Sequence, residues 1–268
     1  MGGQATRRPG FFLTAMRLSA RSNLQYRGHH LINNVASAIF GFIYIAIWAA
    51  VAAGRTLDGV YDTALLTNYV VVNQCLLWLT TFDRSGIKLA RRVRDGSIGI
   101  DLMRPVGLMR LHLAQNYGGR LYNLFFRSAV LALIYALAGG FPVPSDPARW
   151  PLILLAVGLA THIGTVMTYL IGLSGFWTVE TSWLYLGFMT MSLFFGGASI
   201  PLDLLPAGLG RLALATPFAC MGYYPSAIYL GIRGPLGLIP MVGWAVAVTA
   251  LAAYLTRAAR RRADVVGG

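Results

Sequence analysis

The sequence predicts an all-α membrane protein of six transmembrane helices, with an interfacial helix at the N-terminus, short helices on the cytoplasmic face and a re-entrant helical segment outside. Three observations predict it. The chain is 56% hydrophobic and only 12% charged over 268 residues, where a soluble domain carries about 25% charge. Its apolar residues come in uninterrupted runs instead of alternating with polar ones. Its arginines, finally, crowd into alternate connecting segments.

Each span follows from length. A helix crossing a hydrocarbon core of about 30 Å needs about 20 apolar residues. The runs 31–53, 64–82, 123–141 and 236–255 each supply roughly this. The run 151–200 holds two helices, because 50 helical residues would extend about 75 Å. Its single charge, Glu180, lies among Thr178, Thr181 and Ser182, so the fourth span is placed at 151–177 and the fifth at 183–200. The run 31–53 has 23 residues, against about 7–15 for the apolar core of a signal peptide, and so reads as a span.

The stretch 201–234 is apolar enough to suggest a seventh span. However, Pro206, Pro217, Pro225 and Arg211 interrupt it, and a broken, re-entrant pair of short helices accommodates them. Charge supports the count of six. Segments placed inside carry 17 of the 22 basic residues and those outside only four: Arg55, Arg149, Arg211 and Arg233. Both termini are therefore expected in the cytoplasm. The net charge of +13 is spread over these loops, not gathered on one polar face, which argues against nucleic acid as a partner. The bilayer is the partner that it implies.

On the cytoplasmic side, residues 11–27 read as an amphipathic interfacial helix. Leu13, Met16, Ala20 and Leu24 recur at helical spacing, with Arg17, Arg21 and Arg27 available to phosphate headgroups. The segment 83–119 is dense in charge, and Gly96-Ser97 and Pro105-Val106-Gly107 divide it into short helices suited to docking.

No catalytic or metal centre is expected. Cys75 and Cys220 are read as unpaired thiols, and His29, His30, His112 and His162 lack metal-ligand spacing. None of the nine acidic residues is placed mid-span, unlike the usual ion-coupled transporter. Within spans, Asn73, Gln74, Thr80, His162, Thr165 and Thr168 read as helix-to-helix hydrogen-bond partners, and Arg127 is expected to snorkel. The sequence has no G-x-x-x-x-G-K-[ST] loop. If energy is used, another chain supplies it.

Two stretches carry a family resemblance. Asp95-Gly96-Ser97-Ile98-Gly99-Ile100-Asp101-Leu102-Met103-Arg104-Pro105 is similar to the cytoplasmic G-x-[IL]-D-x-L-x-R-P stretch of ABC-2 type exporter permeases, with Gly99 where an acidic residue is common. Ile200-Pro201-Leu202-Asp203-Leu204-Leu205-Pro206, followed by Ala215-Thr216-Pro217-Phe218 and Tyr224-Pro225-Ser226, resembles that family's pattern between its fifth and sixth helices.

The resemblance implies a permease subunit in a bacterial cytoplasmic membrane, working with a separate ATPase dimer that binds ATP and Mg²⁺, and with a second permease copy or a related permease. It assigns Arg91, Arg92, Arg94, Asp95, Gly96, Asp101, Arg104 and Pro105 to ATPase coupling, and Pro201, Asp203, Pro206, Pro217, Phe218 and Pro225 to an outer gate. Asn73, Gln74, Trp78, Phe188, Phe194 and Phe195 are candidates for lining the pathway of a lipophilic or aromatic compound, or of a lipid. A non-transporting membrane scaffold is the alternative.

Overall fold

The computed structural model describes residues 9–23 and 27–266. Arg7, Arg8 and Leu24 lie outside them. The described residues are organised as helices, with one isolated bridge between Leu57 and Tyr61.

Helix α1 (Pro9–Asn23) precedes α2 (Arg27–Val51) and α3 (Thr63–Thr80), whose first turn is capped by Asp62 accepting from the Leu65 amide. Two short helices follow, α4 (Ser85–Arg94) and α5 (Ile98–Leu102). Next, α6 (Leu108–Asn123), a π turn at Leu124–Ser128 and α7 (Ala129–Gly139) run on as one rod. Helices α8 (Trp150–Leu173) and α9 (Ser182–Phe194) come next. Two eight-residue helices, α10 (Ala207–Leu214) and α11 (Tyr223–Leu230), lead into α12 (Leu238–Val266).

Contacts at the turns define two ends of this bundle. At the basic end, Asp83 meets Arg120, Arg94 meets Glu180, and Ala259 of α12 joins Leu89, Ile98 and Leu108 in one apolar cluster. At the far end, Trp48 donates to the Ser199 carbonyl, Tyr61 to Asp203, Tyr229 to the Pro142 carbonyl and Arg149 to the Ile228 carbonyl. Among the described residues, six helical stretches, α2, α3, α6–α7, α8, α9 and α12, lead between these ends. Five passes use helices long and apolar enough to cross a membrane.

The sixth pass is α9. The sequence placed this span at 183–200, but the helix stops at Phe194; its 13 residues extend about 20 Å. Hydropathy cannot register the cause. Gly197 turns the chain at φ +76°, and a Cβ on Gly196 would stand 2.1 Å from the Ser192 carbonyl oxygen.

A second correction concerns the segment 83–119 and the span 123–141. The helix begins at Leu108, and residues 108–119 form its first turns and not a loop. Their polar side chains hide the helix from a hydropathy window. His112, Asn116 and Arg120 are buried against protein instead of facing lipid.

Helices α3 and α8 form the centre. Residues 69–77 of α3 are all buried, and α8 packs on α3, α4, α6, α9, α11 and α12. Close backbone approach makes this possible, since a Cβ on Gly164 of α8 would stand 2.2 Å from the Thr80 carbonyl oxygen. By contrast, α2 and α9 expose large apolar side chains: Ile39, Phe40 and Ile43 on α2, Trp183, Leu186 and Phe194 on α9. Such faces suit hydrocarbon or another apolar helix.

Candidate functional site

At the basic end, the segment 84–105 is built from local capping upward. Asp83 starts α4 by accepting from the Ser85 amide (3.0 Å) and hydroxyl (2.8 Å). Gly86 then lets α4 lie against α8, because a Cβ there would be 2.2 Å from the Thr168 carbonyl oxygen. The helix ends at Asp95, whose Oδ1 accepts from the Ser97 amide at 3.0 Å. That contact with Ser97 lowers the Asp95 carboxyl below its usual pKa. Gly96 reverses the chain at φ +75°, in the left-handed region open to glycine.

Asp101 is the pivot. Its side chain is 1% exposed, with Arg92 Nη1 at 2.7 Å, Arg104 Nε at 3.5 Å and His112 Nε2 at 3.3 Å. A buried carboxylate is tolerated only when paired in this way. The cluster ties α4, α5 and α6 into one body. Arg94 extends it sideways, donating to the Val179 carbonyl oxygen at 3.1 Å and pairing with Glu180 at 3.4 Å. Bonds from Ser182 and Thr181 draw the Glu180 carboxyl down to about 2, so it stays ionised.

Of the eight residues assigned to coupling, Arg92, Asp101 and Arg104 meet in this cluster, and Arg94 joins α4 to the α8–α9 turn. Arg91, Asp95, Gly96 and Pro105 are exposed. Ile100 (56% exposed) and Met103 (80%) stand among them as uncovered apolar side chains. His112, Asp83 and Arg120 belong to this end but were missed from sequence. Nothing in their spacing signals that a helix 11 residues beyond Asp101 returns a histidine to it.

At the far end, Asp203 organises the proline-rich segment. Its Oδ2 accepts from the hydroxyls of Tyr61 and Tyr223, at 2.5 Å each, and its Oδ1 pairs with Arg233 Nη2 at 2.8 Å. Arg233 Nε also donates to the Tyr223 hydroxyl at 3.0 Å. Burial and the adjacent carboxylate raise both phenols above the normal tyrosine range. The hydrogen bond to Tyr223 raises the Arg233 guanidinium.

The prolines occupy separate positions. Pro201 is buried beside Asp203, Pro206 precedes α10, Pro217 is half-buried, and Pro225 is buried in the first turn of α11, where a missing N–H costs nothing. Phe218 packs on Phe188, ring centroids 6.2 Å apart. Tyr61, Tyr223 and Arg233 were not selected from sequence, although the acid–base pair Asp203 and Arg233 was a legible signal.

The six pathway candidates do not converge within this chain. Asn73 donates to Ser226 Oγ at 3.2 Å and to the Gly197 carbonyl oxygen at 3.4 Å, joining α3 to α11. Gln74 is buried. Trp78 donates to Ser37 Oγ at 3.2 Å and carries Arg127 over its ring at 3.9 Å. Arg127 therefore turns inward, 4% exposed, instead of snorkelling. Phe188 lies in the core between α8, α9 and α11, Phe195 packs against the Tyr69 and Tyr223 cluster, and Phe194 faces outward, 60% exposed. His162 bridges helices, contacting Thr249 Oγ1 at 2.8 Å and the Tyr117 hydroxyl. Both cysteines are free and buried.

No curated protein matches the chain. A family model described as ABC-2 family transporter protein matches residues 33–263. That match covers most of the helical bundle, and the chain belongs to the ABC-2 transporter family.

Proposed function

We propose that this permease is the membrane half of an ATP-driven exporter, moving a lipophilic or aromatic compound, such as a drug or secondary metabolite, or a lipid. ATP and Mg²⁺ are bound by a separate ATPase dimer. A second copy of this chain, or a related permease, completes the pore in a bacterial cytoplasmic membrane, with both termini on the ATPase side.

The observation that carries this reading is the bracing of residues 84–105. Asp101 locks α5 to α4 and α6, while the glycine contact holds α4 on α8, the most central helix. A push on the exposed Arg91, Asp95, Ile100 and Met103 reaches α8 and α6 as rigid-body displacement, without bond chemistry. Closure of the ATPase dimer supplies that push, α2, α3 and α9 shift across the permease interface, and substrate leaves past the Asp203 cap.

The test is purification with the ATPase subunit followed by hydrolysis and export assays with candidate compounds. Replacing Asp95 or Arg104 is expected to lower export by about tenfold or more, equivalent to about 1.4 kcal/mol of coupling, while ATP hydrolysis and membrane insertion persist. Normal export by both variants, with wild-type affinity for the ATPase, defeats the assignment.

A further inference from the structure

At the basic end, α1, α4 and α6 border an open cavity of about 510 Å³ that shares Arg92 and Arg104 with the Asp101 cluster. That is the size of sites for small organic ligands, about 300–1,000 Å³. α1 forms one wall. It lies along α6, with Ser19 donating to the Gln115 carbonyl oxygen at 2.7 Å and Gly118 allowing the Met16 carbonyl to approach. The wall is apolar where it carries Phe11, Ala15 and Leu18.

The opposite wall is cationic, with Lys88, Arg92 and Arg104. Its charge is not fully matched. Asp83 is paired with Arg120, and Asp101 lies between two guanidiniums and balances one of them. Lys88 has no carboxylate within ion-pair reach among the described residues. Two positive charges are thus left facing a cavity whose other side carries Phe11, Ala15 and Leu18 beside the polar Thr14, Ser19 and Ser22.

A soluble anion would use only the cations, and an uncharged apolar compound only α1. An anionic amphiphile uses both. Outside the cavity α1 also exposes Leu13 (62%) and Phe12 (37%), with Arg17 and Arg21 exposed on the arc between Leu13 and Leu18. That is the profile of a helix at headgroup depth.

We propose that this cavity binds one anionic phospholipid of the inner leaflet, its phosphodiester held by Lys88 with Arg92 and Arg104, and its acyl chains running over Phe11 and Leu18. A zwitterionic lipid such as phosphatidylcholine presents its quaternary ammonium to the same cations and loses the attraction. The lipid would bridge α1 to α4 and so stiffen the junction between the membrane and the coupling segment.

The test uses the full chain in a neutral detergent, with phosphatidylglycerol, phosphatidylcholine or inorganic phosphate as probes, read by native mass spectrometry and thermal shift. Phosphatidylglycerol is expected to bind about tenfold or more tightly than phosphatidylcholine and to raise the melting temperature. Lys88→Ala and, independently, Leu18→Asp should reduce it to the phosphatidylcholine level. Leu18 is exposed, so that variant folds irrespective of the cavity. Arg110→Ala removes an exposed cation outside the cavity and should change nothing. Equal binding of the two lipids, retained selectivity in both Lys88→Ala and Leu18→Asp, or the same stabilisation from inorganic phosphate alone overturns the proposal.

Discussion

Asp203 and Asp101 illustrate, at the scale of single residues, two ways of holding a carboxylate at the end of a helical bundle. Asp203 accepts from two phenols that are almost wholly buried and pairs with a half-exposed Arg233. Asp203→Ala would leave both phenolic donors without an acceptor, a loss of about 1–3 kcal/mol for each buried group left unsatisfied. A fall in melting temperature, absent in the exposed control Arg211→Ala, is the expected reading. The phenols also predict a pH dependence. Because their folded pKa values are raised, the stability they contribute is fully present below the ordinary tyrosine range near 10 and is lost progressively as pH rises from there through the higher folded values. Alkaline unfolding should therefore weaken in its pH dependence in Tyr61→Phe. At the other end, Asp101 is enclosed more completely, and breaking one buried ion pair costs about 3–5 kcal/mol. Asp101→Ala is accordingly expected to lose both folding stability and attachment of the segment 84–105 to α6.

Between elements, the decisive contacts are made by glycines and by one irregular turn. Gly86 and Gly172 bring α4 and α8 together, and Gly164 brings α8 to α3. Gly164→Val would drive a side chain into the Thr80 carbonyl and separate the two core helices, at about 1–3 kcal/mol or more. Gly158→Ala on the same helix meets open space and should be neutral or stabilising by up to about 1 kcal/mol. The pair of melting temperatures separates close packing from helix propensity. The π turn at Leu124–Ser128 works differently. Its carbonyls are drawn out of the regular ladder, and Asn34 Nδ2 donates to the Phe126 oxygen at 2.9 Å while Ser128 Oγ donates to the Cys75 oxygen at 2.7 Å. Those bonds make the irregularity affordable inside hydrocarbon. They also change the phase of the rod, so that α6 faces the polar cluster and α7 exposes Leu133 and Leu137.

At the scale of the whole molecule, α1 and the later turns of α12 lie at the same end as the arginine-rich segment. The expected topology is testable by labelling. In a background lacking Cys75 and Cys220, Gly208→Cys should react with an impermeant maleimide in intact cells, whereas Gly10→Cys and Arg262→Cys should react only after permeabilisation. Even the native thiols should be slow to react, since both are buried and the Cys220 thiol is pushed up to about 12. Labelling of Arg262→Cys from outside would remove one pass and assign α9, with its 13 residues, to a re-entrant position.

The sequence by itself determined the solvent, the helical class, the alternation of basic and non-basic connections, and the punctuation at Gly96, Glu180 and the prolines. These depend on local composition and backbone preference, which a short window contains. Only the tertiary structure decided that α6 begins at Leu108, that α9 stops at Phe194, and that Asp101 reaches His112 and Asp203 reaches Tyr61 and Tyr223. A polar residue directed at another helix reads in sequence like one directed at water. A glycine that admits a neighbouring backbone reads like one that merely loosens its own. The difference lies in what the chain brings alongside, and the partners of Asp203 stand 142 and 20 residues away.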